Sequence, residues 1–195
     1  MKNMKINEHN MKNLNTYIQE NTCINEKLTI IHKSYICAPN TKGELREIIE
    51  ERLVDDPDVD LNDIDVSNIT DMSYLFKYLD PHNIDISDWD VSNVENMNSM
   101  FYKCENFNSN LIWWDVSNVE DMGSLFFMCE KFNSDLSNWD VSKVKDISFM
   151  FCGCKSFNSD LDAWDINVLS EQLYGLFNYC NSMDKLPKWF TKNRQ

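Results

Sequence analysis

Four glycines and four prolines in 195 residues leave little material for phosphate-cradling loops or flexible linkers. Histidine is scarcer still: His9, His32 and His82 stand far apart, and none is placed beside a nucleophile by any recognisable motif. A non-enzymatic chain without a cofactor is the expectation. Basic residues are also few, 18 Lys and Arg against 32 Asp and Glu, for a net charge of -14. Nucleic acid and anionic membrane surfaces are poor partners for such a chain, whereas a basic protein or a cation is attracted. No apolar run approaches the roughly 18 residues that a membrane span requires, so no membrane insertion is expected. The opening "MKNMKINEHNMKNLNTYIQENTC" lacks the compact apolar block of a secretory signal, which predicts a cytoplasmic location. Seven cysteines, an odd number, then read as reduced thiols.

What the chain has in abundance is itself. "DVSNVENMNSMFYKCENFNSNLIWW" (90–114) is followed at once by "DVSNVEDMGSLFFMCEKFNSDLSNW" (115–139). The register is 25 residues, opened by Asp65, Asp90, Asp115, Asp140 and Asp165 and closed by Trp89, Trp114, Trp139, Trp164 and Trp189. Periods of about 20 to 30 residues belong to arrays in which one unit cannot bury its apolar side alone and stacking supplies the missing surface. The step of two from Trp139 to Val141 is the period of a strand, which turns both inward and Asp140 outward. Val144, Ile147, Met150, Phe151 and Cys154 then recur at three and four, the spacing of one helix face. Ser92 before Glu95, and Ser117 before Glu120, have the capping-box spacing that would start that helix. Phe107-Asn108, Phe132-Asn133 and Phe157-Asn158 recur at a corner, where Asn can bond turn backbone. The spacing predicts an α/β repeat solenoid, leucine-rich-repeat-like, with a short parallel strand and a short helix in each 25-residue coil.

The pattern W-DVSNV-x-x-M-x-x-MF-x-x-C-x-x-FN, clearest over 90–108 and 115–133, resembles the BspA-like leucine-rich repeats, also found in Mycoplasma lipoproteins of unknown function. The resemblance covers about two thirds of the chain and holds over five units. It implies a protein-binding role of the adhesion type at a cell surface. Two departures are visible: the first unit has "YLDPHN" (78–83) where the others have Cys and Phe-Asn, and the last slips by one residue near Leu173. No lipobox cysteine is present, so the surface location rests on the resemblance alone.

The expected organisation is a polar tail over 1–27, an N-terminal cap over 28–60, the repeat array over 61–189 and a basic tail over 190–195. Within the cap, Thr41 and Glu44 open a helix over 41–54 whose Leu45, Ile48, Ile49 and Leu53 share one face. "LTIIHKSYIC" (28–37) reads as an extended segment.

Functional candidates are the outward positions that break the repeat. The pair before each closing Trp is Ser87-Asp88, Ile112-Trp113, Ser137-Asn138 and Asp162-Ala163, and only Ile112-Trp113 is apolar. Trp113 is expected on a concave face beside Asp90, Asp115 and Asp140. After the repeated Phe, Phe127 and Met128 add a second apolar spot in the same central unit. A Trp with Phe and Met on a surface has the composition of a binding hot spot; the alternatives are that Trp113 folds over a neighbouring unit or that Phe127 and Met128 pack under the N-terminal segment. Three uses fit the Asp row: carboxylates held by neighbouring Ser, Asn and backbone N–H groups, a weak divalent-cation site, or a docking face for a basic partner. Cys104, Cys129, Cys154 and Cys180 form a line rather than a tetrahedron, so no metal is assigned to them. Cys152, at an outward helix position, is the thiol expected to react. The expected function is protein–protein interaction; the alternative is a structural protein whose arrays associate through their ends, with Lys185, Lys188, Lys192 and Arg194 as the basic end.

Overall fold

The computed structural model describes residues 37–192. Helix α1, Lys42–Asp55, starts where Thr41 Oγ1 accepts from the N–H of Glu44 at 3.2 Å, while Glu44 Oε2 accepts from the N–H of Asn40 at 2.8 Å. Leu45 and Ile49, one turn apart, are fully buried, and Ile48 and Leu53 pack partly against the same core. Its polar side is used as well: Lys42 Nζ reaches Asp71 at 2.6 Å, and Arg52 reaches Asp63 at 2.5 Å. The other helical pieces among the described residues are a 3-10 turn, Ser170–Leu173, and helix α2, Lys188–Lys192.

The α/β leucine-rich-repeat solenoid is not what forms. No strand exists among the described residues, hence no sheet and no concave sheet face; parallel pairing is limited to isolated bridges such as Asn96 with Asp121 and Asp121 with Asp146. The per-unit helix is absent too. The physical reason lies in the short polar residues. Asp90 Oδ1 accepts from the N–H of Ser92, Asn96 Oδ1 from that of Asn98, and Asn110 Oδ1 from that of Ile112, at 2.9–3.1 Å. The next unit repeats all three with Asp115, Asp121 and Asp135. Three Asx turns per 25 residues bend the chain before a strand or helix can extend. Ser92 is therefore the second residue of an Asx turn and not a helix cap, and Glu95 gives its N–H to Thr70 O.

Spacings of three arise from consecutive turns. Val94 donates to Val91 O, Met100 to Met97 O, Cys104 to Phe101 O and Phe107 to Cys104 O. Between these, alternate N–H groups leave the unit: Met97, Ser99, Phe101 and Lys103 donate to the carbonyls of Asp121, Gly123, Leu125 and Phe127 at 2.7–3.0 Å. Ser99 and Lys103 adopt φ of 56° and 60°, and Ser124 and Met128 repeat this at 55° and 60°. A left-handed non-glycine residue costs about 1–2 kcal/mol, which the ladder between units offsets.

Like side chains stack on like. Phe76, Phe101, Phe126, Phe151 and Phe177 follow one another at ring distances of 5.1–5.8 Å, and Phe107, Phe132 and Phe157 form a parallel column at 5.9 Å. Trp139 and Val141 are buried with Asp140 exposed between them, so the inward and outward alternation holds without a strand. Each closing Trp donates its indole N–H to a carbonyl 28 residues earlier, Trp89 to Leu61 O and Trp164 to Leu136 O, both at 2.9 Å. The repeated Asn does bond turn backbone, in the following unit: Asn108 Oδ1 accepts from Asn133 N–H, and Asn133 Oδ1 from Asn158 N–H, both at 2.8 Å. The Phe columns, the Trp indole bonds and the Asn bonds are thus all contacts across a unit boundary.

Candidate interaction surfaces

Trp113 follows Ile112, whose N–H is held by Asn110, and precedes buried Trp114. One residue cannot face inward on both sides of that anchor, and Trp113 is left 78% exposed. Ile112 is half-buried. Asp90, Asp115 and Asp140 are exposed, but each carboxylate is engaged in its own turn, accepting from the N–H of Ser92, Ser117 and Ser142. Ser142, through its hydroxyl and its N–H, holds the Asp140 carboxyl below the ordinary carboxylate range. Neighbouring donors thus hold one oxygen of each carboxylate in its turn, while the three residues stay exposed. No group of three or more His, Cys, Asp or Glu able to hold a metal ion is formed among the described residues.

Phe127 and Met128 are half-buried and lie in a different company. Phe127 stacks on Tyr102 at 4.7 Å and meets Phe149 edge-on at 6.4 Å. Met128 lies over Gly153, where an added Cβ would come within 2.5 Å of its sulfur. These two residues belong to an aromatic stripe that the sequence reading missed. Phe149 continues it to Tyr174 at 5.1 Å, and Tyr102 continues it to Tyr78 at 5.6 Å. Lys77 sits over the rings of Tyr74, Tyr78 and Tyr102 at 4.7–5.2 Å, a cation–π arrangement within the chain. The signal was present in the register, since Lys77-Tyr78, Tyr102-Lys103 and Phe127-Met128 occupy equivalent positions.

The cysteine row is structural. Cys104 Sγ donates to Phe76 O, Cys129 to Phe101 O and Cys154 to Phe126 O, at 3.0–3.1 Å. Burial pushes the Cys104 thiol up to about 12 and those of Cys129 and Cys154 well above their ordinary value. The expectation for Cys152 is overturned: it is 5% exposed, and burial raises its thiol as well. Cys37 is disulfide-bonded, which corrects the reading of all thiols as reduced. The extended segment over 28–37 and both tails, Arg194 included, lie outside the described residues apart from Cys37 and 190–192.

At the C-terminal end, Asp162 Oδ2 is held by Lys185 at 2.9 Å and Lys188 at 2.7 Å, and Oδ1 accepts the N–H of Lys188. Hydrogen bonds from Lys188, then Lys185, hold its carboxyl well below the usual range. Both lysines thus pair within the chain, with side chains 66% and 76% exposed. Beside them lies a hollow of about 160 Å³ lined by Asn158, Asp160, Asp162 and Pro187.

Residues 51–164, more than half of the chain, match the family described as "Mycoplasma protein of unknown function, DUF285". The chain belongs to this family. The DUF285 match spans the stretch in which the Asx turns, the Trp indole bonds and the Phe columns repeat. No curated protein and no solved structure matches the chain. The family description assigns no activity, so the surfaces of this DUF285 chain must be read on their own chemistry.

Proposed function

We propose that this chain is a non-enzymatic protein-interaction module, with Trp113 as the anchor of its binding surface. The observation that carries this reading is the 78% exposure of Trp113 at a position where other units carry Asp88, Asn138 and Ala163. Among the described residues the Trp113 indole joins no ring stack, and an exposed indole of this kind is well suited to a pocket on a partner. Exposed Asp90, Asp115 and Asp140 give that surface an acidic rim, so the partner it fits best is basic. The sequence resemblance to BspA-like proteins, taken without the leucine-rich-repeat fold, supports binding of a host protein in an adhesion-like role at a cell surface. The alternative is a structural protein that associates through its ends, in which Lys185 and Lys188 would have to leave their pairs with Asp162.

Trp113→Asn places at this position the residue that Asn138 supplies in the next unit, and should leave the fold intact. Wild type retained on immobilised extracellular-matrix proteins, with a loss of about tenfold or more in the variant, is the expected result. Equal retention of the two proteins would remove Trp113 from the reading.

A further inference from the structure

The ladder between units has two ends, and they are treated differently. Inside the stack the acceptors are the carbonyls of Asp121, Gly123, Leu125 and Phe127, whose counterparts in the first unit are Asp71, Ser73, Leu75 and Lys77. There α1 covers the row: Arg46 Nη1 donates to Leu75 O at 3.0 Å and Tyr74 O at 2.7 Å, and Nη2 to Lys77 O at 3.4 Å. Lys42 Nζ reaches the side chains of Asp71 and Ser73. A guanidinium fork has thus replaced a missing preceding unit.

At the other end the last rung is made by Phe149, Phe151 and Gly153, which donate to Tyr174 O, Leu176 O and Asn178 O at 2.8–3.1 Å. The donors next in this register are Gly175, Phe177 and Tyr179. Gly175 and Tyr179 repeat the left-handed φ of Ser99 and Lys103, at 69° and 63°. No group among the described residues accepts from these three N–H groups. All three residues keep solvent access, and the flanking rings of Tyr174 and Tyr179 are 67% and 71% exposed. The Phe column, by contrast, is closed, because Phe190 of α2 meets the Phe177 ring edge-on at 5.0 Å.

We propose that this C-terminal rim is a peptide-docking site that takes an extended segment of a partner protein as one more rung. The segment would present carbonyls on three alternate residues to the N–H groups of Gly175, Phe177 and Tyr179, as Tyr174, Leu176 and Asn178 do one unit earlier. Its side chain facing Phe177 is small, since Phe190 fills that place, and its flanking side chains are apolar to meet Tyr174 and Tyr179. A second copy is the poorer occupant. Two such rims set face to face would oppose donor with donor, and at the acceptor end of a copy Arg46 already takes the carbonyls of Leu75 and Lys77. The site is separate from Trp113 and does not rest on the reading given to it.

The test is amide hydrogen exchange, read residue by residue on the full chain, with a capped synthetic peptide in excess. The peptide carries the acceptor segment of an inner unit, 121–130, with Phe126→Ala for the space Phe190 occupies and Cys129→Ser against oxidation. Exchange at Gly175, Phe177 and Tyr179 is expected to be fast in the free protein and slowed by about tenfold or more with peptide, while the inner donors Phe101 and Phe126 are slow throughout. Unchanged exchange at the three amides up to millimolar peptide overturns the proposal. Protection that grows with protein concentration alone, without peptide, overturns it in favour of a second copy.

Discussion

The indole N–H of Trp139 donates to the backbone carbonyl of Leu111 at 3.0 Å, across the boundary between two units. The bond is buried, and it is the one by which each unit's last residue fixes the preceding unit's turn. Trp139→Phe keeps most of the ring and removes one of the two donors to Leu111 O, which retains the Trp114 N–H at 3.1 Å, so the change should cost about 0.5–1.5 kcal/mol. Trp139→Ala also opens a cavity, for about 3–5 kcal/mol. Urea denaturation orders the three proteins. A phenylalanine variant as stable as wild type would show that the ring alone holds the boundary.

Gly153 and Gly43 should respond to alanine with opposite signs. Gly153 has φ of 82°, and an added Cβ would meet Met128 Sδ at 2.5 Å and Met128 Cα at 3.3 Å. Backbone that cannot yield and a left-handed conformation together predict a loss of about 1–3 kcal/mol for Gly153→Ala. Gly43 lies in the first turn of α1, exposed, with Thr41 Oγ1 at 3.8 Å from the added Cβ. Gly43→Ala should stabilise by up to about 1 kcal/mol through helix propensity. Thermal midpoints that move in the same direction would contradict this account.

The Asx turns make stability depend on acid. Asp140 is held low by the hydroxyl and N–H of Ser142, and Asp135 by the N–H and hydroxyl of Ser137. At Asp71, desolvation raises the carboxyl, but hydrogen bonds from Lys42 and Ser73 outweigh it and the net direction is down. Groups held lower in the folded state than the ordinary aspartate value of 3.8 bind fewer protons folded than unfolded. Their contribution is complete above that value and is lost as the pH falls through it towards the lower folded values. The urea midpoint should therefore drop on acidification from about pH 5 downward. Asp135→Asn with Asp140→Asn keeps both turn acceptors and should flatten that slope; an unchanged slope would assign the acid sensitivity elsewhere.

The 25-residue register, the inward Trp and Phe, the helix opened by Thr41 and the exposed Trp113 were all legible in the sequence, because each depends on which residue type recurs or fails to recur. The backbone path was not. Val144, Ile147 and Met150 have helical spacing, but consecutive three-residue turns bury the same positions. Nothing in Ser99, Lys103 or Met128 marks a positive φ, since the ladder to the next unit imposes it. Ser92 and Glu95 have the capping-box spacing, yet Asp90 two residues earlier competes for the Ser92 N–H and wins. Cys152 was placed outward by helical geometry, and with the helix gone its exposure went too. Phe127 found a stacking partner in Tyr102, 25 residues away, which composition at a single unit cannot reveal.

The cysteine row gives the last prediction. Cys104, Cys129 and Cys154 spend their S–H on a Phe carbonyl of the preceding unit, and Cys180 does the same with Phe151 O at 3.0 Å. Burial holds the Cys104 and Cys180 thiols at about 12 against an ordinary 9.0, so the thiolate fraction near neutral pH is lower by roughly a thousandfold. Cys152 makes no such bond in this row but is buried beside Gly153, which denies a reagent access. Alkylation by iodoacetamide at about pH 8, followed residue by residue by mass spectrometry, should leave all five of these thiols unmodified in the native protein and label them together once urea unfolds it. Loss of the row's hydrogen bond alone, in Cys129→Ala, should weaken stacking without making its neighbours reactive. Fast labelling of Cys152 in a protein that remains folded would mean that its cover opens, and would return it to the surface position that its sequence neighbours first suggested.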